Sequence, residues 1–271
     1  MKLLFLSFSM FIIAVSLSCR KEDLVVPGQK DALLVNRVEI ADQPYYEFLY
    51  ELKDLLIEER SRLNSVKHHY NNINQLVSTD YFGDGALLSN DPDIFESAFN
   101  RKELLTPENS VINGVLKYNY NDNGQLISTI YSSPSNDYSE KSEFTCDING
   151  RIDRQTIFWD NKVAGYISYM YDGRGNLTKE TLYSLSSSGE AELNTTRQYE
   201  YDNNKNPFRV FYKLMIPGIN TNLNNVTKET FTIHFKPGQG SDIIQTTLTS
   251  YTYNSNGYPV KKNGTVEFIY E

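Results

Sequence analysis

The chain has 271 residues, 39% of them hydrophobic, with 20 Tyr, 14 Phe and a single Trp, which excludes a disordered or collagen-like polypeptide and suits one large all-β domain. Its formal charge is −8 at pH 7 and the sequence holds no Lys/Arg cluster, so nucleic acid is excluded as a partner because phosphate contacts need a cationic face.

At the start, Lys2 precedes an apolar run from Leu3 to Leu17. That run is shorter than the ~20 residues a spanning helix needs and has the shape of a cleaved export signal over residues 1–18. The next stretch, Val15-Ser16-Leu17-Ser18-Cys19, resembles a bacterial lipobox, with Ser16 where Leu is usual. The resemblance implies that Cys19 is lipidated and becomes the first mature residue, anchored to a membrane without a spanning helix. Loss of Lys2 with the signal takes the formal charge from −8 to −9. Arg20-Lys21-Glu22-Asp23 resembles the signal by which certain Gram-negative bacteria send lipoproteins to the outer face of the outer membrane; otherwise it is a solvated charge run beside the anchor. Residues 19–31, with Pro27 and Gly28, read as a tether, and residues 32–271 as the folded domain. A lipid on Cys19 would leave Cys146 no intrachain disulfide to join, so Cys146 reads as a small apolar residue on a strand.

Within the domain one unit recurs: aromatic-x-aromatic-[Asp/Asn]-x-x-Gly-x-Leu. Two aromatics at i and i+2 share one face of a strand, the Asp or Asn opens a turn, Gly supplies a positive φ, and Leu begins the return strand. In chain order the copies are Phe48/Tyr50 to Leu56, with Asp54 in the Gly slot; His68/Tyr70/Asn71/Asn74/Leu76; and Tyr118/Tyr120/Asn121/Gly124/Leu126. Phe144/Cys146/Asp147/Gly150/Ile152 and Tyr169/Tyr171/Asp172/Gly175/Leu177 follow. Tyr199/Tyr201/Asp202 then places Lys205 and Pro207 in the Gly and Leu slots, and Tyr251/Tyr253/Asn254/Gly257 ends in Pro259. The period is near 25 residues, with two gaps of about twice that length. The first, residues 81–114, predicts an insertion with a short helix over Asp93 to Asn100, because Asn90-Asp91-Pro92 offers a cap and an N-terminal proline. The second, Phe208 to Ser250, predicts a degenerate hairpin, with strands over Thr230 to Phe235 and Ile243 to Tyr253 and a turn at Lys236 to Gly240. Pro207 and Pro259 predict return strands that begin edge-like or bulged. Tyr45 to Val66 would read as an amphipathic helix on propensity alone; the repeat makes it strands. The whole predicts an all-β fold, a curved antiparallel meander of about seven or eight hairpins with one short helical insertion.

From about Val35 onward this pattern resembles the YD-repeat (Rhs-type) hairpin family, and more closely small outer-membrane lipoproteins carrying such repeats. Large Rhs proteins build a closed shell around a toxin; this chain has neither the length for that shell nor a toxin segment, so that function is not carried over.

No nucleophile elbow, zinc motif or phosphate loop is present, and no catalytic residue, metal site or cofactor is assigned. Asn119 to Gly124 lacks the first Asp of a calcium loop and has Ile130 where the bidentate Glu belongs, so its Asp and Asn side chains are read as turn caps. His68 and His69 are adjacent on a strand and point to opposite faces. Tyr45, Tyr131, Tyr138 and Tyr183, with Trp159, are candidates for an exposed aromatic platform suited to a glycan or a peptide. The function these features point to is a non-enzymatic surface lipoprotein whose curved sheet binds a glycan or an envelope protein. The alternatives are an assembly component pairing through strand edges and, behind it, a glycan-active enzyme.

Overall fold

The structure, a computed structural model, describes residues 33–51, 55–84, 102–134, 138–214, 216–218, 221–236 and 238–271. These residues form β1 (Val35–Ile40), β2 (Gln43–Glu51), β3 (Leu55–Ser61), β4 (Asn64–Tyr70), β5 (Leu76–Gly83), β6 (Val111–Tyr120), β7 (Leu126–Ser132), β8 (Ser139–Cys146) and β9 (Ile152–Trp159). They continue with β10 (Lys162–Tyr171), β11 (Leu177–Leu185), β12 (Ala191–Tyr201), β13 (Val226–Ile233), β14 (Ile243–Leu248), β15 (Tyr251–Tyr253), β16 (Pro259–Lys262) and β17 (Val266–Tyr270).

Turn chemistry explains the path. Asp172 Oδ1 accepts from the backbone N–H groups of Arg174 and Asn176, both at 2.9 Å, while Gly175 N–H donates to Asp172 O at 3.1 Å with φ of 96°. Asn71, Asn121, Asp147 and Asn254 cap their turns through the same pair of bonds, with Asn74 supplying the left-handed residue (φ 57°) in the first of these. After each such turn the register shifts by one residue, as between Met170 and Tyr171 against β11, a bulge that increases the twist of the hairpin.

Each strand from β1 to β13 pairs antiparallel with its successor, as do β15 with β16 and β16 with β17. β14 and β15 are successive stretches of one line, since Thr249 N–H still donates to Thr227 O at 2.8 Å. The 17 strands therefore make eight hairpins, and β17 pairs antiparallel with β1, joining the two ends of the meander. The closing hairpin is a repeat copy split between the termini. Glu271 N–H donates to Leu34 O at 3.1 Å as Asp172 N–H does to Asn176 O, so Leu34-Val35 supply the return half of a turn that Phe268, Tyr270 and Glu271 begin.

Inside, the first aromatics and the Leu-slot residues form two apolar clusters. Val35, Val38, Phe48, Leu56, Phe211 and Phe268 make one; Leu76, Tyr118, Leu126, Phe144, Ile152, Tyr169 and Leu177 make the other. Complete burial of residues such as Leu76 and Leu177, each at 1% exposure, stabilises the ring by about 1.5–3 kcal/mol apiece.

The outward face carries ion pairs, Lys141–Glu143 (2.6 Å), Lys228–Glu200 (2.7 Å) and His69–Asp80 (2.8 Å), among exposed apolar side chains such as Ile127 and Met170.

The described part of Tyr45 to Val66 forms β2, β3 and the start of β4, as the repeat requires, because the inward burial of Phe48 and Leu56 outweighs helical propensity. The copy at Asp202 departs from expectation. Asp202 Oδ1 accepts from Asn204 N–H at 3.0 Å, but the return partner is Asn225, whose N–H and C=O complete the turn at 3.1 Å each. Pro207 thus begins a 3-10 segment, Pro207–Leu214, instead of a return strand, and Val226 takes the Leu slot. The long gap after Asp202 holds both this insertion and the hairpin β13–β14. From the insertion, Phe208 and Phe211 pack on Phe48 (6.0 and 5.2 Å between centroids) and Ile216 packs on the other cluster, so the segment threads the interior.

Another correction concerns Cys146, half-buried at the end of β8: it is disulfide-bonded, and no free cysteine is found among the described residues. The expected helix over Asp93 to Asn100, the turn residue Asp54, Cys19 and the tether lie outside the described residues. Within that first insertion Leu105 is fully buried and its N–H donates to Ser61 O at 2.7 Å.

Candidate functional site

At the end of the sheet away from the repeat turns, β7, β8 and β9 bring a set of side chains to one face. Tyr131 lies opposite Glu140, and Glu140 opposite Trp159; one step further in, Thr129 lies opposite Ser142 and Phe144 opposite Gln155. Because side chains alternate along a strand, all of these share the face of the buried Phe144. Tyr138 O–H donates to Glu140 Oε2 at 3.1 Å and Trp159 Nε1–H donates to the same oxygen at 3.3 Å. The rings of Tyr81, Tyr131 and Tyr138 follow one another with centroids 6.3 and 6.2 Å apart.

Below them is a fixed polar floor. Tyr169 O–H donates to Gln155 Oε1 at 2.8 Å, Gln155 Nε2–H donates to Ser142 Oγ at 2.9 Å, and Ser142 and Thr129 are buried. Leu116 and, from the threaded insertion, Ile216 supply apolar wall, and the cavity so bounded measures about 320 Å³. Slight desolvation, with the carboxylate of Glu140 beside it, raises the Tyr138 phenol above its ordinary range; a phenol is in any case protonated and donating at neutral pH.

Of the five aromatics expected to form a platform, the structure brings together Tyr131, Tyr138 and Trp159. Tyr45 instead stacks edge-on against Tyr46 (4.8 Å) and lines a second, mostly apolar cavity of about 260 Å³ where Phe208 of the insertion meets Tyr251 and Phe268. Tyr183 stacks on Tyr166 (4.7 Å) on the outer face, with the Arg154 guanidinium 3.7 Å from the Tyr166 ring centre.

The repeat-turn residues Asn121, Gly124, Asp147, Gly150, Asp172, Gly175, Asn254 and Gly257 sit at the opposite end, where each Asp or Asn Oδ1 is taken up by backbone N–H groups. Asp202 stands there too, accepting from Tyr253 O–H and Asn225. Among the described residues no cluster of His, Cys, Asp and Glu has the arrangement of a metal site. His68 is buried between Glu59 (2.9 Å) and Thr79 (3.1 Å), whereas His69 faces Asp80 on the other side of the strand.

Sequence reasoning missed Thr129, Ser142, Gln155 and Ile216. A signal for two of them was available: three residues after each Leu slot comes an inward position filled by Glu59, Thr79, Thr129, Gln155, Glu180 and Glu229, a polar layer beneath the apolar one. Ile216 carries no periodic signal, since it lies in the insertion.

No family model matches the sequence, and no curated protein does. Among solved structures, a porin-like protein from Bacteroides uniformis is similar at 13% identity, over 88% of this chain and 98% of that one, with a TM-score of 0.44. A porin-like protein from Bacteroides vulgatus is similar at 11% identity, over 88% and 99%, with a TM-score of 0.39. The Photorhabdus luminescens Tc holotoxin pore matches at 13% identity over 82% of this chain and 12% of that one, with a TM-score of 0.28.

Proposed function

We propose that this chain is a lipoprotein carried by Cys19 on the outer membrane, facing the cell exterior, and that it works as a non-enzymatic binding module whose ligand sits in the cleft lined by Tyr131, Tyr138, Glu140 and Gln155, beside Trp159, which bonds to Glu140. The observation that carries the reading is that Tyr138 and Trp159 both donate to the Glu140 carboxylate, with Tyr131 opposite it across the strands, above an ordered polar floor, a composition that suits a small-ligand site. A YD-type origin for the domain draws support from the eight recurring hairpins. The charged outer face supports a domain surrounded by water, since a barrel embedded in lipid needs an apolar outward band. Glycoside hydrolysis needs two facing carboxylates, and among the described residues lining the cleft Glu140 is the one carboxylate, which favours binding over turnover.

A sulfur that carries a thioether lipid cannot also join a disulfide, so the anchor requires Cys19 as a thiol when the lipid is attached. Labelled palmitate should enter the wild-type chain and not Cys19→Ala, which should be recovered folded in the periplasm; label in the variant rejects the anchor. External protease on intact cells should cleave the wild-type domain. Binding is tested by ligand capture with wild type and with Tyr138→Ala.

A second reading, self-association, is favoured by β14. All six of its residues are exposed, Ile243, Ile244 and Leu248 at 54, 66 and 71%, and it pairs only with β13 among the described strands. Uncharged from Ile243 to Leu248, this edge lacks the lysines that usually block pairing, and two copies could align it antiparallel without opposing like charges. A dimer mass lost in Ile244→Lys would support it; a monomer at high concentration would remove it.

A further inference from the structure

We infer that the cleft takes a neutral saccharide, one or two rings of a longer glycan; this rests on the binding-module reading above and names its ligand. Tyr138 and Trp159 are 43 and 56% exposed, unlike the repeat tyrosines, which are buried or half-buried. Their polar edges are turned onto Glu140 and not onto backbone, so both part-exposed rings lie beside a hydrogen-bonding group. A sugar ring matches this pairing, because its C–H faces lie on aromatic rings while its rim of hydroxyls needs closely spaced carboxylate, amide and hydroxyl partners. Glu140, Gln155 and Ser142 supply those three, with Gln155 held in one orientation by Tyr169.

Three features separate a saccharide from other ligands. An extended peptide would add to a strand edge, but β7, β8 and β9 are paired on both sides. An acidic sugar or other anion would meet the Glu140 carboxylate with no cation among the described lining residues, since Lys141 on the adjacent position pairs with Glu143. The volume of about 320 Å³ is at the lower end for a ligand site, which suits a short portion of a chain entering from solvent.

The detergent-solubilised full chain would be applied to immobilised neutral oligosaccharides (hexose and N-acetylhexosamine oligomers), uronate-containing oligosaccharides and a random peptide library, with calorimetry on the hits. Neutral oligosaccharides should bind; Tyr138→Ala and Trp159→Ala should each weaken binding by roughly tenfold or more, and Tyr183→Ala on the outer face should leave it unchanged. Tyr138→Phe keeps the ring and guards against misfolding of the alanine variant, so it should retain most of the affinity. Glu140→Gln should narrow the preference for neutral over uronate-bearing probes. Capture of peptide or uronate alone, with the same Tyr138 dependence, overturns the saccharide and leaves the binding module standing. Loss of that dependence for every probe class overturns both.

Discussion

The hydroxyl of Tyr171 donates to the carbonyl oxygen of Ile152 at 2.6 Å, reaching from the second aromatic of one hairpin to the first return residue of the hairpin before it. The relationship recurs around the ring as Tyr50 to Val35 (2.7 Å), Tyr70 to Leu56 (2.7 Å), Tyr120 to Leu76 (2.8 Å), Tyr201 to Leu177 and Tyr270 to Pro259 (2.5 Å). Here lies a reason the second aromatic slot holds Tyr in every copy but that of Cys146, while the first accepts Phe48, His68, Phe144 or Phe268: the donated bond is made from the second. In the copy at Asn254 the duty passes to Tyr251, which reaches Val226 O at 3.2 Å while Tyr253 turns to Asp202.

Tyr171→Phe keeps the packed ring and strands a half-buried carbonyl, so it should lower unfolding free energy by about 1 kcal/mol. Tyr166→Phe on the outer face should change stability by less than about 0.5 kcal/mol. Denaturant unfolding checks both, through a shifted midpoint at constant slope for the first and no shift for the second.

The same tyrosines make the fold sensitive to alkali. Burial pushes the Tyr251 phenol up to about 12, with the Asp202 carboxylate adding to it, and burial raises Tyr50, Tyr120, Tyr171, Tyr201 and Tyr270 further. A group whose folded pKa lies above its unfolded value near 10 contributes stability that is intact below pH 10 and lost as pH climbs toward the folded value. Each such tyrosine should remove about 1.4 kcal/mol per pH unit above pH 10. Absorbance at 295 nm and circular dichroism should therefore change together, in one cooperative step between about pH 10 and 12; tyrosine ionisation well before unfolding would contradict the hoop.

Closure by a split repeat makes the last residues structural. Phe268 lies in the cluster with Val38 and Phe48, and β17 supplies the only partner β1 has on that edge among the described strands. Phe268→Ala should cost about 3–5 kcal/mol by cavity formation. Deleting 268–271 also opens the edge of β1, and with total stability of about 5–15 kcal/mol the truncated chain should be unfolded or associated. Calorimetry and size-exclusion chromatography would show this; a monomer melting near the wild type would mean that closure contributes little.

How far the sequence revealed this fold follows from where the period was kept. Wherever Asp or Asn, a left-handed residue and an apolar return residue stand at fixed offsets, as from Tyr169 to Leu177, local turn chemistry and inward burial agree and the hairpin can be read directly. At Asp202 the same capping bonds are made to Asn225, some twenty residues further on. No offset rule finds that partner. The split copy was hidden for a related reason, since neither Leu34-Val35 nor Phe268-Tyr270 is a whole unit. In the cleft the aromatics were legible as residue types, but which of them meet depends on cross-strand register: Tyr131 and Trp159 converge because both flank Glu140, while Tyr183 falls on the other face.

Two glycines separate the roles of scaffold and site. At Gly165, on β10, an added Cβ would lie 2.3 Å from the backbone oxygen of Tyr183, which cannot move without the neighbouring strand. Gly165→Ala should therefore destabilise by about 1–3 kcal/mol through overpacking while leaving the cleft residues in place. At Gly114, on β6, the added Cβ would lie 2.2 Å from Tyr131 Oη and 2.4 Å from its Cζ, the far end of a side chain that can swing aside. Gly114→Ala should thus change the melting temperature little but displace Tyr131 from the wall of the cleft and weaken ligand capture severalfold, an effect separable from Gly165→Ala by measuring melting and binding on both variants. If Gly114→Ala bound as well as wild type with Tyr131 displaced, the Tyr131 ring would not be part of the ligand seat, and the site would contract to Tyr138, Glu140 and Trp159.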